Sequence, residues 1–233
     1  MLTVWCVCVG DKYSDEDVWI LQRMVANNIK QPYQFKCLAD RIIPGVYSVL
    51  SKHDWPGWWS KLELFEIATE GQHLYFDLDV VITGNIDELV SKKLSMPKNW
   101  AQSGHGGCQS SVMAWGDDYS VLSDAFQPEL LSDPSGGNYG WYGDLRLWGD
   151  QEFISYFLGA PGDGLDITNI DDDEPRYIVR VVEMKHIYSY KYHSRQSLPH
   201  DARVVCFHGL PKPSDVNDQW VKDARSRPRQ SVA

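Results

Sequence analysis

Two acidic residues stand one residue apart inside an otherwise apolar run. Residues 73–81 read HLYFDLDVV and place Asp77 and Asp79 in what the pattern predicts to be one β-strand. Side chains at positions i and i+2 of a strand point to the same face, so we expect the two carboxylates to converge. Such a pair is costly to bury without a counter-charge, and oxygen ligands suit a hard divalent cation, Mg²⁺ or Mn²⁺. The pair therefore predicts a metal site, with a solvated strand end as the alternative.

A histidine and a lysine follow another apolar run near the end of the chain. Residues 204–207 read VVCF, His208 comes next, and Lys212 lies between two prolines. Open α/β sheets bind their ligands at the carboxyl ends of strands. An imidazole can ligate a metal ion and an ammonium group can bind phosphate oxygens. With the two carboxylates, these side chains have the chemistry to bind a metal diphosphate, whereas a histidine taken alone is more often structural.

Positioning these residues requires strands and helices in a defined order. Residues 2–9 form an apolar run that predicts a buried parallel strand, and Ser14 with the acids after it predicts the start of an amphipathic helix. Residues 33–38 predict a second strand, which completes a strand–helix–strand unit. Predicted after these are helices at 58–69, 119–126 and 149–158, strands at 108–115, 178–182, 187–192 and 204–207, and loops at 135–143 and 159–174. The pattern predicts an α/β fold with a mixed, mainly parallel central sheet flanked by helices.

Composition favours one folded domain and weakens several other classes of protein. Of the 233 residues 43% are hydrophobic, enough for a core, and the formal net charge of −10 argues against a surface built for nucleic acid. No run reaches the roughly 18 apolar residues of a membrane-spanning helix, and residues 1–9 lack signal-peptide features. We therefore expect a cytoplasmic protein without a membrane span. The five cysteines form no Cys-x-x-Cys pair, which predicts buried free thiols.

Four segments together resemble one enzyme family. They are residues 75–85 with the Asp-x-Asp motif, residues 58–65 upstream, the Asp150-Gln151 pair, and residues 207–213 with the His-Gly and Lys-Pro pairs. In combination they resemble the GT-A glycosyltransferases, and more closely the small bacterial and phage members related to the retaining, glycogenin-like branch. The likeness implies a single Rossmann-like GT-A domain over residues 1–220, and a phage origin would place the protein in the host cytoplasm. The basic composition that follows predicts a flexible tail, residues 221–233.

The resemblance also implies roles for individual residues. It implies that Asp77, Asp79 and His208 hold a Mn²⁺ or Mg²⁺ ion. The donor-binding residues that it implies are Val7, Val9, Tyr13, Lys61, Asp77, Gln109, Ser110, Asp150, Gln151, Gly209 and Lys212, with Gln109 in place of the usual asparagine. Three of these are expected to act in catalysis: Lys61 aimed at the donor, Asp150 beside the transferred sugar, and Lys212 on the diphosphate. The plainer alternatives are helix capping for Tyr13 and Asp150 and a solvated helix position for Lys61.

The implied reaction is transfer of a sugar from a nucleotide diphosphate, expected to be a uridine one, to a hydroxyl group. Departure of the diphosphate builds negative charge, which a metal ion and Lys212 would stabilise. Asp150 could act as a base in an inverting reaction or as a ligand of the sugar, and both roles stay open. Two other functions stay open as well: a metal-dependent phosphoesterase that uses Asp77 and Asp79, and a non-catalytic module that binds sugar nucleotides or glycans.

Aromatic and basic residues indicate where an acceptor could bind. Trp58 and Trp59 are adjacent, so they cannot face the same way on a helix, and we assign one to the core and Trp59 to the acceptor. On the strand predicted at residues 187–192, three alternating tyrosines would share one face and Lys191 the other, which suits a nucleic-acid strand or a flipped base. The acceptor candidates are Trp59, Tyr190, Lys191 and Tyr192. We expect a hydroxymethylated base in phage DNA or a saccharide as acceptor; a tyrosine-lined core face is the structural alternative, and the oligomeric state stays open.

Overall fold

The chain begins with the strand–helix–strand unit that the sequence predicts. The computed structural model of the protein describes residues 1–100, 107–131, 141–142, 145–146, 149–158 and 182–228. Its strands are β1 (Leu2–Cys8), β2 (Tyr33–Ala39), β3 (Tyr47–Leu50), β4 (Gln72–Phe76), β5 (Val80–Ile82), β6 (Ser95–Pro97), β7 (Val112–Trp115), β8 (Trp141–Tyr142), β9 (Leu145–Arg146), β10 (Val182–Met184), β11 (Ile187–Ser189) and β12 (Val204–Cys206). Its α-helices are α1 (Asp15–Asn28), α2 (Leu64–Ile67), α3 (Val121–Asp124), α4 (Asp150–Leu158) and α5 (Gln219–Ser226). Short 3₁₀ segments cover Gly57–Glu63, Asp87–Leu89, Pro128–Leu130 and Pro213–Asp215, and Tyr190–Ser194 forms a π-helical turn.

Two sheets carry the architecture. The larger has seven strands in the order β10-β6-β7-β4-β1-β2-β3, and β7 runs antiparallel to both of its neighbours while the other pairs are parallel. The smaller sheet has the order β11-β12-β5, with β12 antiparallel to β5. A short hairpin joins β8 to β9. The predicted α/β fold with a mixed, mainly parallel central sheet is therefore confirmed.

Hydrophobic side chains pack on both faces of the larger sheet. Strand β1 sends Val4 and Cys6 into one core cluster and Trp5 into the other, which explains why its sequence is apolar without alternation. Helix α1 buries Val18 and Leu21 against the first cluster. It begins after Ser14, whose backbone N–H donates to Asp17 Oδ2 at 3.0 Å. Both faces of the sheet are covered, which leaves its strand ends as the place for a site.

Two predicted elements differ from those in the structure. Residues 58–69 form a 3₁₀ segment, Gly57–Glu63, followed by the single α-turn of α2, instead of one regular helix. The strand predicted at 187–192 ends at Ser189, because the Ser189 N–H donates to His193 Nδ1 at 3.0 Å and its Oγ accepts from the Tyr192 N–H. These local bonds start the π-helical turn, so the predicted alternation of tyrosines on one face is wrong. The predicted loop at 159–174, most of the one at 135–143, and residues 178–181 of a predicted strand lie outside the described residues.

The start of the predicted flexible tail is helical. Helix α5 spans Gln219–Ser226, and its Val221 is 1% exposed in the core cluster that includes α1. The backbone carbonyls of Arg225 and Arg227 accept hydrogen bonds from side chains of α1, those of Arg23 and Asn27. The predicted tail of residues 221–233 is therefore wrong for residues 221–226, and residues 229–233 lie outside the described part of the chain.

Replacing Val221 with alanine tests whether α5 belongs to the domain. Removing two buried methyl groups should lower the free energy of unfolding by about 1–2 kcal/mol, because the side chain is enclosed. Urea denaturation followed by tryptophan fluorescence measures the change. The exposed neighbour Lys222, replaced by alanine, should change the free energy of unfolding by less than about 0.5 kcal/mol. Equal stabilities for the Val221 variant and the unmodified chain would show that α5 does not pack on the domain.

All five cysteines are free and buried, as predicted. Cys6 and Cys37 face each other across the β1–β2 pair, and Cys206 ends β12. None of the helices in the described ranges combines the length and the apolar character that crossing a membrane requires.

Candidate active site

A cavity of about 560 Å³ opens where β1, β4 and β7 meet. Strands β1 and β4 end at this edge and the antiparallel β7 begins there, so loops from all three converge. The segments before α4 and after β12 complete the wall. The cavity is lined by all of the predicted donor and metal residues: Val7, Val9, Tyr13, Lys61, Asp77, Asp79, Gln109, Ser110, Asp150, Gln151, His208, Gly209 and Lys212. The structure thus brings these residues together, and their individual roles stay predictions.

The Asp-Leu-Asp motif lies between two strands, not inside one. The chain leaves the larger sheet after Phe76 and enters the smaller sheet at Val80, and residues 77–79 make the crossing. The Asp77 N–H donates to the Ser111 carbonyl at 2.9 Å, and the Asp79 carbonyl accepts from the Phe207 N–H at 3.2 Å. The prediction of one strand with both carboxylates on its face is therefore wrong. Both carboxylates still reach the cavity, because the turn that carries them lies where the two sheets meet.

A buried lysine lies between two of the carboxylates. Lys61 is 4% exposed, and its Nζ lies 3.0 Å from Asp77 Oδ1 and 3.2 Å from Asp150 Oδ2. Burial disfavours the charged amine, but the two carboxylates outweigh it and raise the pKa of Lys61. Burial acts to raise the pKa of Asp77, yet Lys61 and the Tyr75 hydroxyl hold that pKa below its usual value. Lys61 is therefore charged and fixed, and the solvated position considered from sequence is wrong.

Asp150 is the third buried carboxylate. Together with Asp77 it carries one more negative charge than Lys61 can neutralise. It opens α4 and is 5% exposed, and burial raises its pKa despite Lys61 nearby. Among the described residues Asp150 Oδ2 has no hydrogen-bond partner, although the Lys61 ammonium lies 3.2 Å from it. One ammonium thus faces two carboxylates, Asp77 and Asp150.

A second ion pair lies on the other side of the motif. Lys212 Nζ lies 2.6 Å from Asp79 Oδ2, and the Tyr13 hydroxyl donates to the same oxygen at 2.9 Å. Burial and the charge of Asp77 raise the pKa of Asp79, against the lowering effect of Lys212. Burial and the two acids raise the pKa of Tyr13, which stays a neutral hydrogen-bond donor. Tyr13 therefore contacts the motif directly and does not cap the first helix.

His208 lies among aromatic rings at the edge of the cavity. Its ring is nearly parallel to Trp100 and Tyr192, with centroids 6.0 Å and 5.8 Å away. Its Nε2 lies 2.7 Å from Ser189 Oγ. Burial, with the charges of Lys191 and Lys212, lowers the pKa of His208 to about 4, so the imidazole is neutral at pH 7. A neutral imidazole can ligate a metal ion, but Nε2 is engaged by Ser189.

The carboxylates fit a divalent cation better than the histidine does. Asp77 and Asp79 supply hard oxygen ligands, and burial together with the charge of Asp77 raises the pKa of Asp79. Within the described residues, no three or more His, Cys, Asp or Glu side chains form a group that could hold a metal ion, and the role of His208 as a metal ligand stays a prediction. A cation could bind Asp77 and Asp79 once Lys212 leaves Asp79.

The acceptor candidates divide into buried and exposed residues. Trp59 is 3% exposed and stacks on Phe126, and Tyr190 is 6% exposed and stacks on Phe207. Both rings belong to the core, which contradicts their predicted acceptor roles. Tyr192 is 56% exposed beside His208, and the Lys191 ammonium approaches Gly209 at the cavity. These two residues stay acceptor candidates.

Among the residues that line the cavity, Trp58, Tyr75 and Lys12 were not assigned to the site from sequence. Trp58, not Trp59, faces the cavity, since the 3₁₀ geometry of Gly57–Glu63 turns Trp59 into the core. Tyr75 donates its hydroxyl hydrogen to Asp77, and it could have been found because it stands two residues before Asp77. Lys12 also lines the cavity, and nothing in its local sequence marks it.

The chain shares its fold with solved GT-A glycosyltransferases. The galactosyltransferase LgtC, solved in complex with donor and acceptor sugar analogs, is similar to this chain with a TM-score of 0.60 and 12% identity over 99% of this chain and 97% of LgtC. The glycosyltransferase GlyE of Streptococcus pneumoniae TIGR4 has a TM-score of 0.56 and 12% identity, over 92% of this chain and 56% of GlyE. The bifunctional glycosyltransferase WbbM gives a TM-score of 0.56 and 10% identity, over 97% of this chain and 50% of WbbM. No protein-family model and no curated protein matches the sequence. The chain therefore has the GT-A fold. Sequence identities of 10–12% show a shared fold and nothing more.

Proposed function

We propose that the protein is a metal-dependent glycosyltransferase that moves a sugar from a nucleotide diphosphate, expected to be a UDP-sugar, to a hydroxyl group. The observation that carries the proposal is that lysines and carboxylates face each other in the cavity. On one side, Tyr13 and Lys212 contact Asp79. On the other side, Lys61 lies between Asp77 and Asp150. The fold shared with LgtC, a galactosyltransferase, supports the same reaction class.

The residues divide into those at the nucleotide and those at the sugar. Val7 lies near the end of β1 and Val9 and Tyr13 follow it, and these three residues would hold the nucleoside. Asp150, Gln151 and Ser110 lie by Lys61 and would surround the transferred sugar. The contacts run from Tyr13 through the Asp-Leu-Asp motif to Asp150. A donor would therefore lie with its nucleoside near Tyr13 and its sugar near Asp150.

Lysine charges would stabilise the leaving diphosphate and hold the acids in place. Lys212 is 23% exposed at its side chain and can pair with phosphate oxygens, where negative charge develops as the sugar departs. Lys61 keeps Asp77 ionised and fixed, so that the carboxylate is ready to bind a cation. A Mn²⁺ or Mg²⁺ ion held by Asp77 and Asp79 would add Lewis-acid stabilisation of the diphosphate. The Asp150 carboxylate, whose Oδ2 has no hydrogen-bond partner among the described residues, would bind hydroxyl groups of the sugar or act as a base.

The acceptor would enter beside the segment Tyr190–Ser194. Tyr192 offers an exposed ring next to His208, and Lys191 and the exposed Arg195 add positive charge close by. Rings with adjacent basic groups bind nucleobases and sugars alike. We propose a hydroxymethylated base in phage DNA or a saccharide as acceptor. Mass analysis of products from hydroxymethylated duplex DNA and from oligosaccharides separates the two.

A nucleotide-release assay tests the reaction class. UDP-glucose, UDP-galactose and GDP-mannose are incubated with the protein in Mn²⁺, in Mg²⁺ and in chelator, and the free nucleoside diphosphate is measured. We expect release from a UDP-sugar that requires the metal ion and that stops when chelator is added. Release of nitrophenol from bis(p-nitrophenyl) phosphate instead would show a phosphoesterase. Donor binding by calorimetry without release would show a binding module.

A further inference from the structure

Lys212 occupies the carboxylate that the proposed function assigns to a metal ion. Its Nζ lies 2.6 Å from Asp79 Oδ2, and the Tyr13 hydroxyl donates to that oxygen at 2.9 Å. The Asp79 side chain is 7% exposed, so these two donors close off most of the approach to it. An ammonium and a divalent cation compete for such an oxygen, because both bind it through positive charge. A cation can reach Asp79 Oδ2 only when Lys212 moves away.

The Lys212 side chain can move while its backbone stays in place. Its N–H donates to Asp215 Oδ2 at 2.8 Å, and Pro213 follows at the start of a 3₁₀ turn, which fixes the main chain. The side chain itself is 23% exposed and lines the cavity, with its ammonium 5.7 Å from the centre of the Tyr13 ring. A lysine has a flexible four-carbon stem, so the ammonium can turn from Asp79 to another anion in the cavity.

Charge balance decides what would draw the lysine away. A divalent cation alone would face the Lys212 ammonium at close range, and a diphosphate alone would face the carboxylates of Asp77 and Asp79. When both bind, the ion takes the carboxylates and the phosphate oxygens take the ammonium. Each ligand thus removes the repulsion that opposes the other.

We propose that Lys212 exchanges partners during donor binding: it leaves Asp79 for the diphosphate oxygens as a divalent ion takes Asp79. The ion and the nucleoside diphosphate therefore bind cooperatively, and neither binds tightly alone. The identity of the two ligands rests on the proposed function; the exchange rests on the Lys212–Asp79 contact. Removing the lysine therefore has opposite effects on the two ligands: it weakens nucleotide binding and strengthens metal binding.

The test measures Mn²⁺ binding with and without UDP in the unmodified protein and in the Lys212→Met variant. Calorimetry gives both affinities, and the electron paramagnetic resonance signal of free Mn²⁺ gives an independent count of bound ion. We expect Lys212→Met to bind Mn²⁺ alone about tenfold to a hundredfold more tightly, the range for loss of one charged hydrogen bond to Asp79. The tightening of Mn²⁺ binding by UDP should shrink in the variant, and by linkage so should the tightening of UDP binding by Mn²⁺.

Lys12→Met is the matched control. The Lys12 ammonium lines the same cavity and lies 5.1 Å from the Tyr13 ring centre, against 5.7 Å for Lys212, but in the described residues it has no bond to Asp79. The Lys12→Met substitution removes the same charge but leaves the contact between Lys212 and Asp79 in place. The Mn²⁺ affinity of this variant should therefore change less than about threefold. Unchanged or weaker Mn²⁺ binding in Lys212→Met, or an equal gain in Lys12→Met, overturns the exchange. A gain confined to Lys212→Met, in a protein that releases no nucleotide from any donor, keeps the exchange and rejects the transferase.

Discussion

Replacing Asp79 with asparagine should reduce metal-dependent release of nucleotide by about a hundredfold to a thousandfold, the effect of removing one preorganised charge contact from a transition state. Asparagine keeps the shape of the side chain but loses the charge that would bind a divalent ion and hold Lys212. Steady-state release of UDP from the donor, at saturating Mn²⁺, measures the loss. Activity of the Asp79→Asn variant equal to that of the unmodified protein would refute the assignment of the motif.

The Asp79 variant should remain folded, which separates lost chemistry from lost structure. Burial and Asp77 raise the pKa of Asp79, so the ionised carboxylate is held at a cost that asparagine does not bear. We therefore expect a melting temperature equal to or above that of the unmodified chain. Asp117→Asn, at an exposed position outside the cavity, serves as the control and should alter neither nucleotide release nor melting temperature.

Replacing Lys61 with methionine should have the largest effect on stability. The change leaves Asp77 and Asp150 buried without their shared counter-charge, and breaking such a pair costs about 3–5 kcal/mol. For a chain of this size that corresponds to a fall of about 6–20 °C in melting temperature at pH 7.5. Differential scanning calorimetry measures the fall. Methionine fills a similar volume, so the loss arises from charge and not from a cavity.

The stability lost in the Lys61 variant should shrink as the pH falls. In the unmodified chain the pKa of Asp77 is lowered, so that residue stabilises the fold above its unfolded pKa and less so in acid. Without Lys61, burial is opposed by hydrogen bonds but by no facing ammonium, so the pKa of Asp77 and of Asp150 should rise in the folded state. Protonation then removes the buried charges, so the difference between the two proteins should be smaller at pH 4.5 than at pH 7.5.

An exposed lysine provides the control for this pH dependence. Lys93→Met removes a charge from the surface and should shift the melting temperature by less than about 2 °C at either pH. A Lys61 variant that loses the same stability at pH 4.5 and pH 7.5 would show that its effect is not electrostatic.

Local patterns in the sequence were sufficient for the first strand–helix–strand unit. The strand predicted at residues 2–9 is Leu2–Cys8 and the one predicted at 33–38 is Tyr33–Ala39. Buried parallel strands and capped amphipathic helices have signatures within a few residues, so their neighbours in space do not have to be known. The cavity could also be predicted, because strand ends of an α/β sheet meet at one edge.

Some features of the fold depend on pairing between distant segments, which local sequence patterns do not predict. Residues 73–81 look like one strand because Phe76 and Val80 are both apolar, yet β4 pairs with β7 and β5 pairs with β12. The strand breaks at Asp77 because its two halves pair with strands of two different sheets. No local sequence pattern predicts this break. The same holds for Lys61 and Asp150, which are 89 residues apart by position (150 − 61) and meet only when α4 closes the cavity.

The burial of every cysteine makes the chain convenient for chemical labelling. Burial raises the pKa of Cys8 and of Cys108 to about 11 and also raises that of Cys6 and Cys206, so these sulfurs are not thiolates at neutral pH. Alkylating reagents attack the thiolate and need access, and all five native sulfurs are buried. A cysteine placed at the exposed position of Tyr192 would thus react ahead of them, without removal of any native cysteine. A fluorophore or spin label there would report the arrival of an acceptor at the edge of the cavity.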